Sequence, residues 1–247
     1  MYFILLATDY DGTLAHDGLV DEKTLAALER LRASGRKLLL VTGRHLFDLS
    51  KVFSRLDLFD RVIVENGGVL YNPHTREERL LCDPADQRLV AALKKRNIPF
   101  DVGRAVIATS RPYDTVVLTA IRELVLDLQV IFNKESVMVL PSGVDKGTAL
   151  EWVLDEFGIS MHHVVSVGDA ENDLPLLRIS GISAAVANAL PSIKEEADIV
   201  LAKAQGEGVT DLIDRLVAND LADVTKSLRL RSMLADRRSD RDQPSMG

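Results

Sequence analysis

A chain of 247 residues with 47% hydrophobic and 27% charged side chains has ordinary globular composition, enough for one large domain or a core carrying a smaller one. A formal net charge of -7 argues against a basic nucleic-acid footprint, and a single cysteine, Cys82, excludes an intramolecular disulfide and a cysteine-based zinc cluster. The apolar opening lacks a basic lead and is broken by Asp9, and no apolar run approaches membrane-spanning length, so a cytoplasmic protein with no membrane and no nucleic-acid partner is expected.

The first apolar run, Phe3 to Leu6, leads into Ala7-Thr8-Asp9-Tyr10-Asp11-Gly12-Thr13-Leu14. Residues two apart on an extended strand point to the same side, so Asp9 and Asp11 can face one site. Taken alone, Asp-x-Asp is equally well an acidic turn that ends a strand. Leu25, Leu28 and Leu31 have helical spacing between an N-cap at Asp21 and a stop at Gly35. The buried-strand run Lys37–Val41 ends at Thr42-Gly43-Arg44. A helix over about 46–56, a strand over 61–65 and a turn at Asn66-Gly67-Gly68 follow, then a hairpin of 69–71 and 79–82 around Asn72-Pro73-His74.

Between 83 and 140 the rhythm changes. Helices over 86–96 and 113–125 alternate with short strands over 100–102, 105–109, 129–132 and 136–140, the makings of a small α+β layer. The main rhythm resumes with a helix over 146–157 and a strand over 163–167 that ends at Gly168-Asp169-Ala170-Glu171-Asn172-Asp173. Strand 182–186, helix 192–197, strand 199–201 and helix 208–217 complete it. The expected fold is α/β: a Rossmann-like, doubly wound parallel sheet at 1–82 and 141–218, with an inserted α+β cap at 83–140. A charged, flexible tail is expected at 219–247, with one weak apolar stripe of Leu228, Leu230 and Leu234.

Four short signals fall at strand ends or helix starts of that core: Asp9-x-Asp11-Gly-Thr, Thr42-Gly43, Lys146 and Asp169-x-x-Asn172-Asp173. Singly, Thr42 reads as a helix cap, Lys146 as a solvated charge, and Asp169 and Asp173 as turn residues. Together they converge, because the carboxyl ends of parallel strands share one edge of the sheet. Two carboxylates about 4 Å apart repel by roughly 4 kcal/mol at an effective dielectric near 20. Such a cluster calls for a hard cation, and an all-oxygen site with waters suits Mg²⁺. The Thr42 hydroxyl, the Gly43 amide and the Lys146 ammonium supply donors for an anion. A hard cation beside anion donors and a carboxylate nucleophile is a phosphoryl-transfer site.

In this order the segments resemble the four motifs of the haloacid dehalogenase superfamily of aspartate-based phosphohydrolases. Asp9-Tyr-Asp-Gly-Thr-Leu14 is similar to the first, Val41-Thr-Gly-Arg44 to the second, Val144-Asp-Lys-Gly147 to the third and Gly168-Asp-Ala-Glu-Asn-Asp173 to the fourth. The insert and Glu65-Asn66-Gly67-Gly68 resemble the type IIB capped branch, with its Cof-type sugar phosphatases, archaeal-type phosphoglycolate phosphatases and phosphomannomutases. The resemblance covers about residues 3 to 217.

It implies that Asp9 attacks phosphorus and also binds Mg²⁺, and that Asp11 protonates the leaving oxygen, activates water and lends its backbone carbonyl to the metal. It further implies that Thr42, Gly43, Lys146 and Asn172 bind the phosphate, with Asp169 a metal ligand and Asp173 completing or orienting the metal shell. A short cap favours a small phosphomonoester such as phosphoglycolate or a sugar phosphate. A phosphosugar mutase and a non-catalytic phosphate-binding module are the alternatives. His16, His45, His74, His162 and His163 lack metal-ligand spacing, with His45 at the site rim. Arg104 and Arg111 read as surface charges and Trp152 as core.

Overall fold

The computed structural model describes residues 1–224. The chain runs β1 (Leu5–Asp9), α1 (Glu22–Ala33), β2 (Lys37–Val41), α2 (Leu46–Val52), β3 (Arg61–Val64), β4 (Val69–Asn72) and β5 (Glu77–Leu80). Then come α3 (Gln87–Lys95), β6 (Asp101–Val102), β7 (Ile107–Ser110), α4 (Asp114–Glu123), β8 (Leu128–Asn133) and β9 (Ser136–Pro141). It closes with α5 (Lys146–Phe157), β10 (Val164–Gly168), α6 (Leu174–Ile179), β11 (Ile182–Ala185), α7 (Pro191–Glu196), β12 (Ile199–Val200) and α8 (Gln205–Asn219).

The main sheet has the order β12-β11-β10-β1-β2-β3-β4-β5, parallel from β12 to β3 and antiparallel in its last two pairings. Its strands are apolar on both faces because helices cover both. Leu5, Ala7, Leu39 and Val41 pack under Leu150, Val153 and Leu154 of α5. Their neighbours Leu6, Leu38 and Leu40 point the other way, against Leu28 and Leu31 of α1 and Leu212 and Leu216 of α8. From β1 the chain winds outward through β2 and β3, then returns to β10 on the other side of β1. The β1–β10 boundary is therefore the topological switch point, where open α/β sheets bind ligands.

Residues 87–141 build a second, four-stranded antiparallel sheet in the order β6-β7-β9-β8. Its core joins Leu89 and Leu93 of α3 and Val117 and Ile121 of α4 to Ile107 and Val139. The opposite face carries Ala108, Ser136 and Met138 over the switch point of the main sheet. Glu65, buried just beyond β3, accepts from the backbone N–H groups of Arg104 (3.0 Å), Ala105 (2.8 Å) and Val106 (3.1 Å), tying the small layer to the large one.

Local chemistry explains the helix ends. Asp145 and Thr148 form a reciprocal capping box at the start of α5, and Gly158 closes it at φ 63. The expected helix over 46–56 stops at Val52, where Phe53 turns extended to pack against Tyr10 and Phe59. Trp152 is not core but 53% exposed, with the Arg79 guanidinium 5.8 Å from its ring centroid. The buried stripe of α5 runs through Ala149, Leu150, Val153 and Leu154, and Trp152 lies on the flank beside it. Asp220 and Leu221, assigned to the tail on sequence, are packed instead. Asp220 accepts from Phe3 N at 3.3 Å and from Arg36 at 2.8 Å, and Leu221 is buried in the main core. The stripe of Leu228, Leu230 and Leu234 lies outside the described residues. No helix among them is long and apolar enough to cross a membrane.

Candidate active site

The register β1–β2 pairs Asp9 with Val41, and β1–β10 pairs Thr8 with Val167. Asp9, Thr42 and Asp169 thus leave three adjacent strands at the same edge. Gly12, at φ 82, turns the loop after β1 so tightly that a Cβ there would strike the Asp169 carboxylate. Thr13 Oγ1 donates to Asp169 Oδ1 at 3.1 Å.

Lys146, the first residue of α5, has a fully buried side chain whose Nζ lies 2.5 Å from Asp9 Oδ1 and 2.6 Å from Asp173 Oδ1. A solvated surface lysine is thereby excluded. Asp173 Oδ2 accepts from the N–H groups of Asp169 (2.9 Å) and Ala170 (3.0 Å), so this residue caps its own turn as well as holding Lys146. One carboxylate oxygen each from Asp9, Asp169 and Asp173 lie within 4.8 Å of one another. Burial, and then the Asp173 charge, push the Asp9 carboxyl well above its usual range, with Lys146 opposing them. Burial likewise raises Asp169. Lys146 is held protonated because Asp173 and Asp9 outweigh the burial that disfavours its charge. A buried acid cluster of this kind is stable in ionised form only beside positive charge.

Asp11 stands outside that cluster. Its carboxylate accepts both prongs of Arg44, Nε and Nη2, at 2.6 Å. Asp9, Asp11, Thr42, Gly43 and Arg44 nevertheless share one cavity of about 450 Å³, lined on its other side by Asp101, Asn133, Ser136 and Met138 of the small layer. Thr42 is not the helix cap, since His45 holds that position; its buried hydroxyl accepts from Arg44 N at 3.2 Å. Asn172 Nδ2 donates to Asn66 Oδ1 at 2.9 Å beneath Gly43, while Asn172 Oδ1 and Asn66 Nδ2 have no partner.

The expected site residues Asp9, Asp11, Thr42, Gly43, Lys146, Asp169, Asn172 and Asp173 are brought together at or beside this mouth, whereas Trp152 lies away from it on the flank of α5. Three others were given no role there. Arg44 lay within a quoted motif, and its bidentate partner Asp11 is visible only in three dimensions. Glu65, also inside a quoted motif, anchors the small layer. Lys134, in the β8–β9 turn, reaches Asp169 Oδ2 at 2.7 Å without any local sequence signal.

Residues 6–108 and 129–213 match the family model of haloacid dehalogenase-like hydrolases. The chain belongs to that family. This hydrolase is 33% identical over 227 residues to a phosphoglycolate phosphatase of Methanothermobacter thermautotrophicus, covering 86% of this chain and 98% of that protein. It is 30% identical over 225 residues to phosphoglycolate phosphatase 2 of Saccharolobus solfataricus, covering 88% and 94%. A solved Thermoplasma acidophilum structure shares the fold at TM-score 0.75 and 19% identity, over 86% of this chain and 97% of that one. A subclass IIB sugar phosphatase does so at 0.72 and 21%, over 86% and 98%. The hydrolase is a phosphatase of the haloacid dehalogenase superfamily, with its parallel α/β core.

Proposed function

We propose that this phosphatase is Mg²⁺-dependent and hydrolyses a small phosphomonoester through an aspartyl-phosphate on Asp9. The observation that carries the proposal is Asp9 on buried Lys146 with Asp11 in the same cavity: a nucleophile and a proton carrier facing one space. Asp9 attacks phosphorus, the ester P–O bond breaks, and the leaving oxygen takes its proton from Asp11. Water then attacks the phosphorus of the aspartyl phosphate while Asp11 takes up its proton, and inorganic phosphate departs with Asp9 restored. Thr42 and Gly43 donate to the transferring oxygens and Lys146 offsets their charge. Asn172, beneath Gly43, supports the same oxygens.

The donor set fits a hard divalent ion, since Asp9 and Asp169 offer clustered carboxylate oxygens, and the family resemblance adds the Asp11 backbone carbonyl. Asp173, with both oxygens already engaged by Lys146 and backbone amides, suits an orienting role better than direct ligation. When bound, Mg²⁺ supplies charge neutralisation for the phosphoryl group.

For the leaving group, the relatives named as phosphoglycolate phosphatases and the cations Arg44 and Lys51 lining the cavity favour a short carboxylate-bearing substrate. Asp48, Asp101, Asn133 and Ser136 on the same wall favour a second reading, a sugar phosphate held by its hydroxyls. Phosphate release from a panel spanning both classes, with and without Mg²⁺, tests the proposal. Mg²⁺-dependent release ranked by leaving group is the expected result. Release indifferent to Mg²⁺ overturns the metal, and no phosphate release from any substrate, with sugar-phosphate isomerisation only when a bisphosphate activator is added, makes the enzyme a mutase.

A further inference from the structure

The tip of the β8–β9 hairpin enters the acid cluster. Lys134 Nζ lies 2.7 Å from Asp169 Oδ2, and the Lys134 backbone N–H donates to Glu171 Oε2 at 3.1 Å. The hairpin pairs Asn133 with Ser136, leaving a two-residue turn that Lys134 begins at φ 53. Glycine or asparagine occupies that backbone conformation readily, whereas lysine adopts it at a cost. The flanking Asn133 and Ser136 line the cavity of Asp9 and Asp11, and Met138 on the same hairpin closes on Gly43.

Two lysines thus serve the cluster, and they differ in kind. Lys146 comes from the main domain, is fully buried and bridges two carboxylates. Lys134 comes from the small layer, holds one carboxylate and keeps 47% of its side chain exposed, while Asp169 is buried. Lys146 has no route away from its partners, whereas Lys134 can swing to solvent. At the other end of the small layer the anchor is fixed, because the buried Glu65 carboxylate holds three backbone amides.

We infer that Lys134 is a positioning residue through which cap seating and divalent-cation binding are coupled, its ammonium competing with the metal for Asp169. The inference rests on the metal-dependent phosphatase reading of the site. Like charges on one carboxylate repel, so each occupant weakens the other, and of the two lysines the exposed one yields. Displacing Lys134 frees the hairpin tip, and a phosphate dianion then offers the ammonium a new partner that seats the tip again.

The test titrates Mg²⁺ calorimetrically into the full chain as wild type, Lys134→Met, Lys134→Arg and Asp169→Asn, and follows hydrogen exchange of the amides at 133–136. Lys134→Met is expected to bind Mg²⁺ about three- to tenfold more tightly, with Lys134→Arg back near wild type. Mg²⁺ is expected to speed exchange at the tip in wild type, and in Lys134→Met the tip exchanges fast from the start. Equal or weaker Mg²⁺ binding by Lys134→Met, with tip exchange in wild type indifferent to Mg²⁺, overturns the coupling. If Asp169→Asn loses Mg²⁺ while Lys134→Met binds it no more tightly than wild type does, the metal-dependent reading stands and the coupling falls; if wild type takes up no Mg²⁺, both fall.

Discussion

Replacing Glu65 by glutamine is expected to loosen the small layer from the core by about 3 kcal/mol at neutral pH. Burial alone would raise the Glu65 carboxyl, but His45 and the amides of Ala105, Arg104 and Val106 outweigh it and bring it from 4.5 down to about 2. That difference of about 2.5 pH units, at roughly 1.36 kcal/mol each, is about 3.4 kcal/mol held by the ionised form over the protonated one. Because the folded value is the lower one, the contribution is complete above the unfolded value near 4.5. It fades as pH falls through about 2, leaving about 1.4 kcal/mol at pH 3. Glutamine keeps the shape and one acceptor oxygen, so it isolates the charge. Urea unfolding of wild type and Glu65→Gln at pH 7 and pH 3 reads the gap directly. A gap near 3 kcal/mol that at least halves at pH 3 is expected. A gap under 1 kcal/mol at pH 7, or one that does not change with pH, refutes the reasoning.

Lys146→Ala leaves Asp9 and Asp173 buried without their shared cation, so it is expected to cost about 3–5 kcal/mol of stability. It should also slow hydrolysis by about a thousandfold or more. A wild-type melting temperature in that variant contradicts the geometry around Nζ. Arg44→Gln removes a charge-assisted bidentate donor from the cavity and is expected to raise KM about tenfold for 2-phosphoglycolate. A phosphomonoester of equal size with an uncharged leaving group should be little affected, and equal changes for both would remove Arg44 from leaving-group recognition.

The segments that meet at the candidate site were legible because their signals are local and sit at strand ends, where parallel topology fixes the neighbours. Asp9 and Asp169 meet across the β1–β10 pairing, and a reader of the chain needs only the α/β alternation to bring them together. Helix α5 was equally plain, since the Asp145 cap and the Gly158 stop lie beside its ends. What stayed hidden depends on contacts distant in sequence. Lys134 is one lysine in a polar turn until the hairpin is laid over a carboxylate 35 residues away. Asp220 looks like the first of many tail acids, yet the backbone N–H of Phe3, just ahead of the first strand, and Arg36 draw it in. Trp152 misled because apolar periodicity locates a stripe only to within a residue or so, and an indole beside the stripe finds an arginine to stack on.

Rapid acid quenching of the enzyme during Mg²⁺-supported turnover, followed by peptide mapping, tests most directly whether Asp9 carries the phosphoryl group. Phosphate on the peptide containing Asp9, absent from a folded Asp9→Asn protein that has lost turnover, is the predicted result. Turnover by Asp9→Asn at the wild-type rate, or phosphate trapped on another residue, would contradict it.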